Sequence, residues 1–126
     1  MRKKLTNLEA SNNVSVIDTS NNNIIATVSV ESGPHGVAVT PDGTKVYVAN
    51  NGDDTISVIN TTTNTVTAMV PAGNGPYGVA VTPSGTKVYV ANYFDNDVSV
   101  IDTTTNTVKA TVPVGDHPVA LGKFIM

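Results

Sequence analysis

The side chains able to do chemistry fall in a few short stretches. His35 and Tyr77 stand 42 residues apart in matching surroundings, Pro34-His35-Gly36 and Pro76-Tyr77-Gly78, and Val119 takes the same place after Pro118. A second matching pair is Asn51-Gly52-Asp53-Asp54 and Tyr93-Phe94-Asp95-Asn96-Asp97. Aromatic rings beside carboxylates can bind a sugar or a peptide, or hold a calcium ion weakly. The candidate ligand-binding residues are therefore His35, Tyr77, Asp53, Asp54, Tyr93, Phe94, Asp95 and Asp97. The plainer reading of the same residues is that they are solvated turn positions.

Other chemistry finds less support. Asp95-Asn96-Asp97 offers oxygen ligands but lacks the glycine and distant glutamate of an EF-hand loop. His35 and His117 occupy non-equivalent positions, which argues against a zinc pair. There is no Gly-x-Ser-x-Gly elbow and no cysteine, so neither a serine nor a thiol nucleophile is indicated. Ser57 and Ser99 lie inside repeated strand segments and read as packing residues. Asn13-Val14-Ser15 and Asn60-Thr61-Thr62 match glycosylation acceptors, which matter only in an exported protein. The expectation is a protein that is not an enzyme, with no catalytic residue, metal or cofactor.

The elements that position these residues are set by a repeat. Val14-Ser15-Val16-Ile17-Asp18-Thr19 returns as Ile56-Ser57-Val58-Ile59-Asn60-Thr61 and again as Val98-Ser99-Val100-Ile101-Asp102-Thr103. Gly36-Val37-Ala38-Val39-Thr40-Pro41 returns as Gly78-Val79-Ala80-Val81-Thr82-Pro83, and Lys45-Val46-Tyr47-Val48-Ala49-Asn50 as Lys87-Val88-Tyr89-Val90-Ala91-Asn92. A fixed period of this kind decides the fold class. Each unit reads as four strands, over 35–40, 45–50, 55–60 and 65–70 in the clearest copy. Turn signals separate them: Pro41-Asp42-Gly43, then Asn51-Gly52-Asp53-Asp54, then Thr61-Thr62-Thr63-Asn64 entered from an Asx residue. Within 45–50, Val46 and Val48 point one way and Tyr47 and Ala49 the other, and both sides are apolar. A sheet wetted on one face would alternate apolar and polar. These small sheets are therefore covered on both faces, as stacked propeller blades are. Gly36 and Ala38 suit a crowded innermost strand. Ile25, Thr67 and Lys109, at one equivalent position, suit a solvated outer edge.

Composition agrees. The chain of 126 residues is 40% hydrophobic and 13% charged, valine-rich, leucine-poor and without tryptophan. β-branched residues favour strands, and the abundant Asn and Gly favour turns. Net charge is −3, and the lysines and arginine are scattered except for Arg2-Lys3-Lys4, which argues against nucleic acid as a partner. Nothing approaches the apolar length of a membrane span. Met1-Arg2-Lys3-Lys4 is followed by polar residues, so no signal peptide is expected.

The run 37–50, with 57–61 after it, resembles the YVTN-type β-propeller repeat of surface-layer proteins. The resemblance covers about residues 11–122. It implies a propeller at the cell surface or outside the cell, acting as a binding or scaffold module, and carries over no catalytic residue. Lactonase-like propellers are distantly similar, but no metal-site motif of theirs is matched.

The fold class expected is all-β: a β-propeller of four-stranded antiparallel blades, with three 42-residue repeats in a single domain over 1–126. The divisions are a partial blade at 1–31, blades at 33–73 and 75–115, and a closing strand within 117–126, centred on 119–124. Three blades cannot shut a ring, since propellers have four or more. The expected partner is therefore another copy of the chain, in a cyclic homodimer of six blades or homotrimer of nine. A carbohydrate or protein ligand is expected on the loop face. The competing readings are a hydrolase or lyase using the central channel, and a ligand-free structural piece of a larger propeller.

Overall fold

The computed structural model describes residues 3–8, as backbone, and 11–120. Within them lie eleven strands. β1 (Lys3–Leu8), β2 (Asn13–Asp18) and β3 (Asn23–Ser29) form a three-stranded sheet. β4 (Pro34–Val39), β5 (Lys45–Asn50), β6 (Thr55–Asn60) and β7 (Thr65–Pro71) form the second sheet. β8 (Pro76–Val81), β9 (Lys87–Asn92), β10 (Asp97–Asp102) and β11 (Thr107–Pro113) form the third. All pairings are antiparallel between strands adjacent in sequence. Among the described residues, no helix is long and apolar enough to cross a membrane.

Local chemistry explains the turns. After Thr40 and Thr82 the chain reverses through Pro-x-Gly, with Gly43 and Gly85 both at φ 74°, a left-handed conformation that glycine adopts without steric cost. Between β6 and β7 the Asn60 side-chain oxygen accepts from the amides of Thr62 (2.8 Å) and Thr63 (3.3 Å). Asp102 does the same for Thr104 (2.7 Å) and Thr105 (3.2 Å), and Asp18 for Ser20 (2.8 Å). These are the Asx turns expected from the sequence. Asn22, Asn64 and Asn106 then take positive φ, which asparagine tolerates better than most residues.

The sheets stack face to face. Val14, Val16 and Val28 of the first sheet meet Val46, Val48 and Ile59 of the second. On the other side of the second sheet, Tyr47, Ala49, Ile56, Val58 and Val70 meet Val79, Val88, Val90 and Ile101 of the third. β5 thus sends alternate side chains into two different cores, as its apolar pattern requires. Close stacking of the innermost strands depends on glycine. A Cβ on Gly36 would lie 2.2 Å from the Tyr77 carbonyl oxygen. A Cβ on Gly78 would lie 2.0 Å from that of Ala120. Residues 119–120 therefore stand against β8 as β8 stands against β4, although they are not in a strand. The rest of the closing strand expected over 119–124 lies outside the described residues.

The two cores end at an uncovered face. Val70 is 1% exposed, whereas its counterpart Val112 is 46% exposed. Truncation to alanine removes two methyl groups, each worth about 0.8 kcal/mol when buried. Val70→Ala is expected to destabilise by about 1.5–3 kcal/mol and Val112→Ala by less than about 0.5 kcal/mol. Urea denaturation of both variants at low protein concentration checks this.

Acid stability follows from the turns. The Thr44 amide, with the hydroxyls of Thr40 and Thr44, holds the Asp42 carboxyl at about 2, below its ordinary 3.8. Asp102 is lowered in the same direction by the amides of Thr104 and Thr105. A depressed carboxyl stabilises the fold above its unfolded pKa and loses that contribution as pH falls through the folded one. Asp42→Ala is expected to lower the melting temperature at pH 7, and the difference should close as pH falls from about 4 to about 2.

Candidate functional site

The loops joining β5 to β6 and β9 to β10 share one end of the sheets with those leading into β4 and β8. The two sets clasp each other. Asn51 and Gly52 donate their amides to the carbonyls of Gly33 (2.9 Å) and Ser32 (3.0 Å), and the Ser32 amide donates to Asp53 Oδ2 (2.8 Å). One unit later, Tyr93 and Phe94 donate to Gly75 (2.9 Å) and Asn74 (3.1 Å), and the Asn74 amide donates to Asp95 Oδ2 (2.8 Å). Asp54 Oδ1 accepts from the Gly75 amide (2.8 Å), as Asn96 Oδ1 does from His117 (2.9 Å) and Asn12 Oδ1 from Gly33 (3.2 Å). Asp97 Oδ1 accepts from Asn92 Nδ2 (2.7 Å). Asp53, Asp54, Asp95 and Asp97, proposed as ligand-binding residues, thus brace the loops of this end. Hydrogen bonds from the Asn74 amide and side chain hold the Asp95 carboxyl below the usual carboxylate range. Among the described residues, no cluster of three acidic, histidine or cysteine side chains could hold a metal ion.

The aromatic candidates come together. His35, near the start of β4, stacks on Tyr77 of β8, with ring centroids 4.3 Å apart and planes at 22°. Tyr77 faces Tyr93 at 6.2 Å, tilted by 37°. Tyr93 meets Phe94 edge to face at 5.0 Å and 85°. It also stacks on His117 at 4.6 Å and 13°. Five rings therefore form one continuous group across the two strands and two loops. Phe94 is 64% exposed. Its ring lies over Gly75, where a Cβ would come within 2.4 Å of it.

His117 is the member that sequence reasoning passed over, because it is not equivalent to His35. The signal was its alignment with Gly33 and Gly75. Those glycines sit at φ 66°, and His117 is held at φ 51° in the same turn. A non-glycine residue in this conformation carries a backbone cost that the surrounding structure must offset. The Asn96 brace and the stack on Tyr93 do so.

Elsewhere, β4 and β8 border a cleft of about 470 Å³ lined by Val37, Ala38, Val39, Pro41, Val79, Ala80, Val81, Thr82 and Pro83. None of these side chains is an acid or a base.

Solved structures resemble the chain in part of their length. It overlays on hydrazine synthase of Kuenenia stuttgartiensis with a TM-score of 0.88 and 26% identity, over 91% of this chain and 33% of that one. Dihydro-heme d1 dehydrogenase NirN in complex with DHE gives 0.77 and 25%, over 89% and 24%. Apo AztD of Citrobacter koseri gives 0.78 and 16%, over 94% and 33%, a likeness of fold alone. The chain thus spans a quarter to a third of these structures. No curated protein matches it. The family model of YNCE-like β-propellers matches residues 38–122, which hold all of the second sheet but its first four residues, and all of the third. The stacked antiparallel sheets and this match agree, and the chain belongs to the YNCE-like β-propeller family.

Proposed function

We propose that this protein is a non-catalytic binding and scaffold module of the surface-layer type. It is built from three 42-residue units, works at the cell surface or outside the cell, and completes its ring by self-association. The observation that carries this reading is the uncovered face of the third sheet. Tyr47, Ile56 and Val58 are wholly buried under the third sheet. Among the described residues, their counterparts Tyr89, Val98 and Val100, with Val112, have no further sheet over them; Val112 is 46% exposed, while Val100 stays buried at 7%.

The first sheet supplies the mating face. Ile59 and Val66 of the second sheet pack against the first. Their counterparts, Ile17 and Ile24, lie on the first sheet's other side, where Ile24 is 63% exposed. The surface at one end of the stack is what the surface at the other end covers inside the molecule. A head-to-tail contact between copies repeats the internal one and closes a ring after two or three chains. Each Val or Ile covered adds roughly 1.5–3 kcal/mol. The apolar, uncharged lining of the cleft between β4 and β8 also favours a binding role over acid–base catalysis there. The ligand, a carbohydrate or a protein, meets the aromatic loop face.

Light scattering after size exclusion is expected to give a sharp species of two or three times 13.0 kDa. Val112→Asp and Ile24→Asp, both at exposed positions, should each reduce it to a folded monomer. A monodisperse monomer of the unmodified chain would overturn the self-association.

A further inference from the structure

The aromatic group is where the chain departs most from its own repeat. Asn51 becomes Tyr93, Gly52 becomes Phe94 and Gly75 becomes His117 over one period. The braces around them stay the same in both units. The loop fold therefore needs none of these rings. Two of them also carry a cost: Phe94 leaves most of its surface in water, and His117 holds a left-handed backbone that glycine adopts freely. Three departures joined through Tyr93, two of them costly, mark a site kept for recognition.

Charge indicates what is recognised. The loops of this end carry Glu31, Asp53, Asp54, Asp95 and Asp116, with Asp97 at the start of β10, and among the described residues no lysine or arginine. Lys45 and Lys87 begin β5 and β9 at the opposite end, and Lys109 lies in the half of β11 nearer that end. An anion meets only repulsion here, which disfavours nucleic acid, phosphate and acidic glycans. A cation meets both the carboxylates and the negative faces of the rings. A guanidinium is the best match, because it is planar, weakly hydrated and stacks on an aromatic ring while its edge donates to carboxylates.

We infer that the group Phe94, Tyr93, His117 and Tyr77 is the docking site for an arginine-bearing segment of a basic peptide. Phe94 provides the open ring face, Asp95 follows it in the same loop, and Asp116 precedes His117 in the other. This rests on the reading of the loop face as the binding surface and names its ligand; it is independent of ring closure.

The test is titration calorimetry of the unmodified chain with a Gly-Arg-Gly-Arg-Gly peptide and with the same peptide carrying citrulline, the uncharged isostere of arginine. Saturable binding of the arginine peptide, weakened by salt and lost with citrulline, is expected. Tyr93→Asn, Phe94→Gly and His117→Gly restore the residues that already fold at 51, 52 and 75. Together they should lower affinity by about tenfold or more without lowering the melting temperature. Should the triple variant melt early, the citrulline comparison on the unmodified chain decides. Equal binding of both peptides, unchanged affinity in the folded triple variant, or no binding of either peptide would overturn the inference. Saturation by a neutral oligosaccharide such as cellohexaose instead would also overturn it, while leaving the proposed binding role in place.

Discussion

A four-stranded sheet that is apolar on both faces cannot stand alone in water, and the architecture follows from that constraint. β5 shows it most plainly. Val46 and Val48 enter one core and Tyr47 and Ala49 the other, and all four are fully buried. Burial of this kind is the main favourable term in folding, and here it is available only if a sheet lies on each side. Among the described residues, stacking meets the demand on both faces only for the second sheet. The outermost faces inherit it unsatisfied, which is why Ile24 and Val112 remain exposed.

Hydrogen bonding fixes how the sheets sit on one another. The amide of Gly33 reaches the Asn12 side chain, and that of Gly75 reaches Asp54, each tying the turn that enters one unit to a loop of the unit before it. At the other end, Lys45 Nζ donates to the Thr103 carbonyl at 3.0 Å. The apolar contacts are non-directional. The braces at both rims set the rotation between neighbouring sheets, and so bring Tyr77 alongside Tyr93. The group of five rings is a product of this alignment, because they come from two strands and two loops that lie far apart along the chain.

Most of the fold was legible because it repeats. Strand limits at 35–40 and 45–50 were set by proline, glycine and period-two alternation, and the structure places them at Pro34–Val39 and Lys45–Asn50. The Asx turns at Asn60 and Asp102 were likewise read from local chemistry. The site was legible in part. His35, Tyr77, Tyr93 and Phe94 stood out as departures from the period, and the structure gathers them. The carboxylates were read as ligand candidates because a sequence shows their charge but not their donors. For Asp53, Asp54 and Asp95 those donors include loop amides 21 residues away, and for Asp97 the donor is the Asn92 side chain. His117 was missed because histidines were compared with each other and not with the glycines they replace. Its φ is a backbone property that only alignment to Gly33 and Gly75 hints at.

The strictly sequential pairing of strands also shapes how the chain moves and folds. Among the described residues no strand pairs with one remote in sequence, so each hairpin closes a short loop, and each sheet then needs only its neighbour. Folding of this kind propagates from unit to unit, and stability becomes a sum over adjacent sheets. The second sheet, with a neighbour on both sides, becomes the slowest to open. Its β5 and β6 amides would be the last to exchange with solvent, while the first and third sheets fray outward from it.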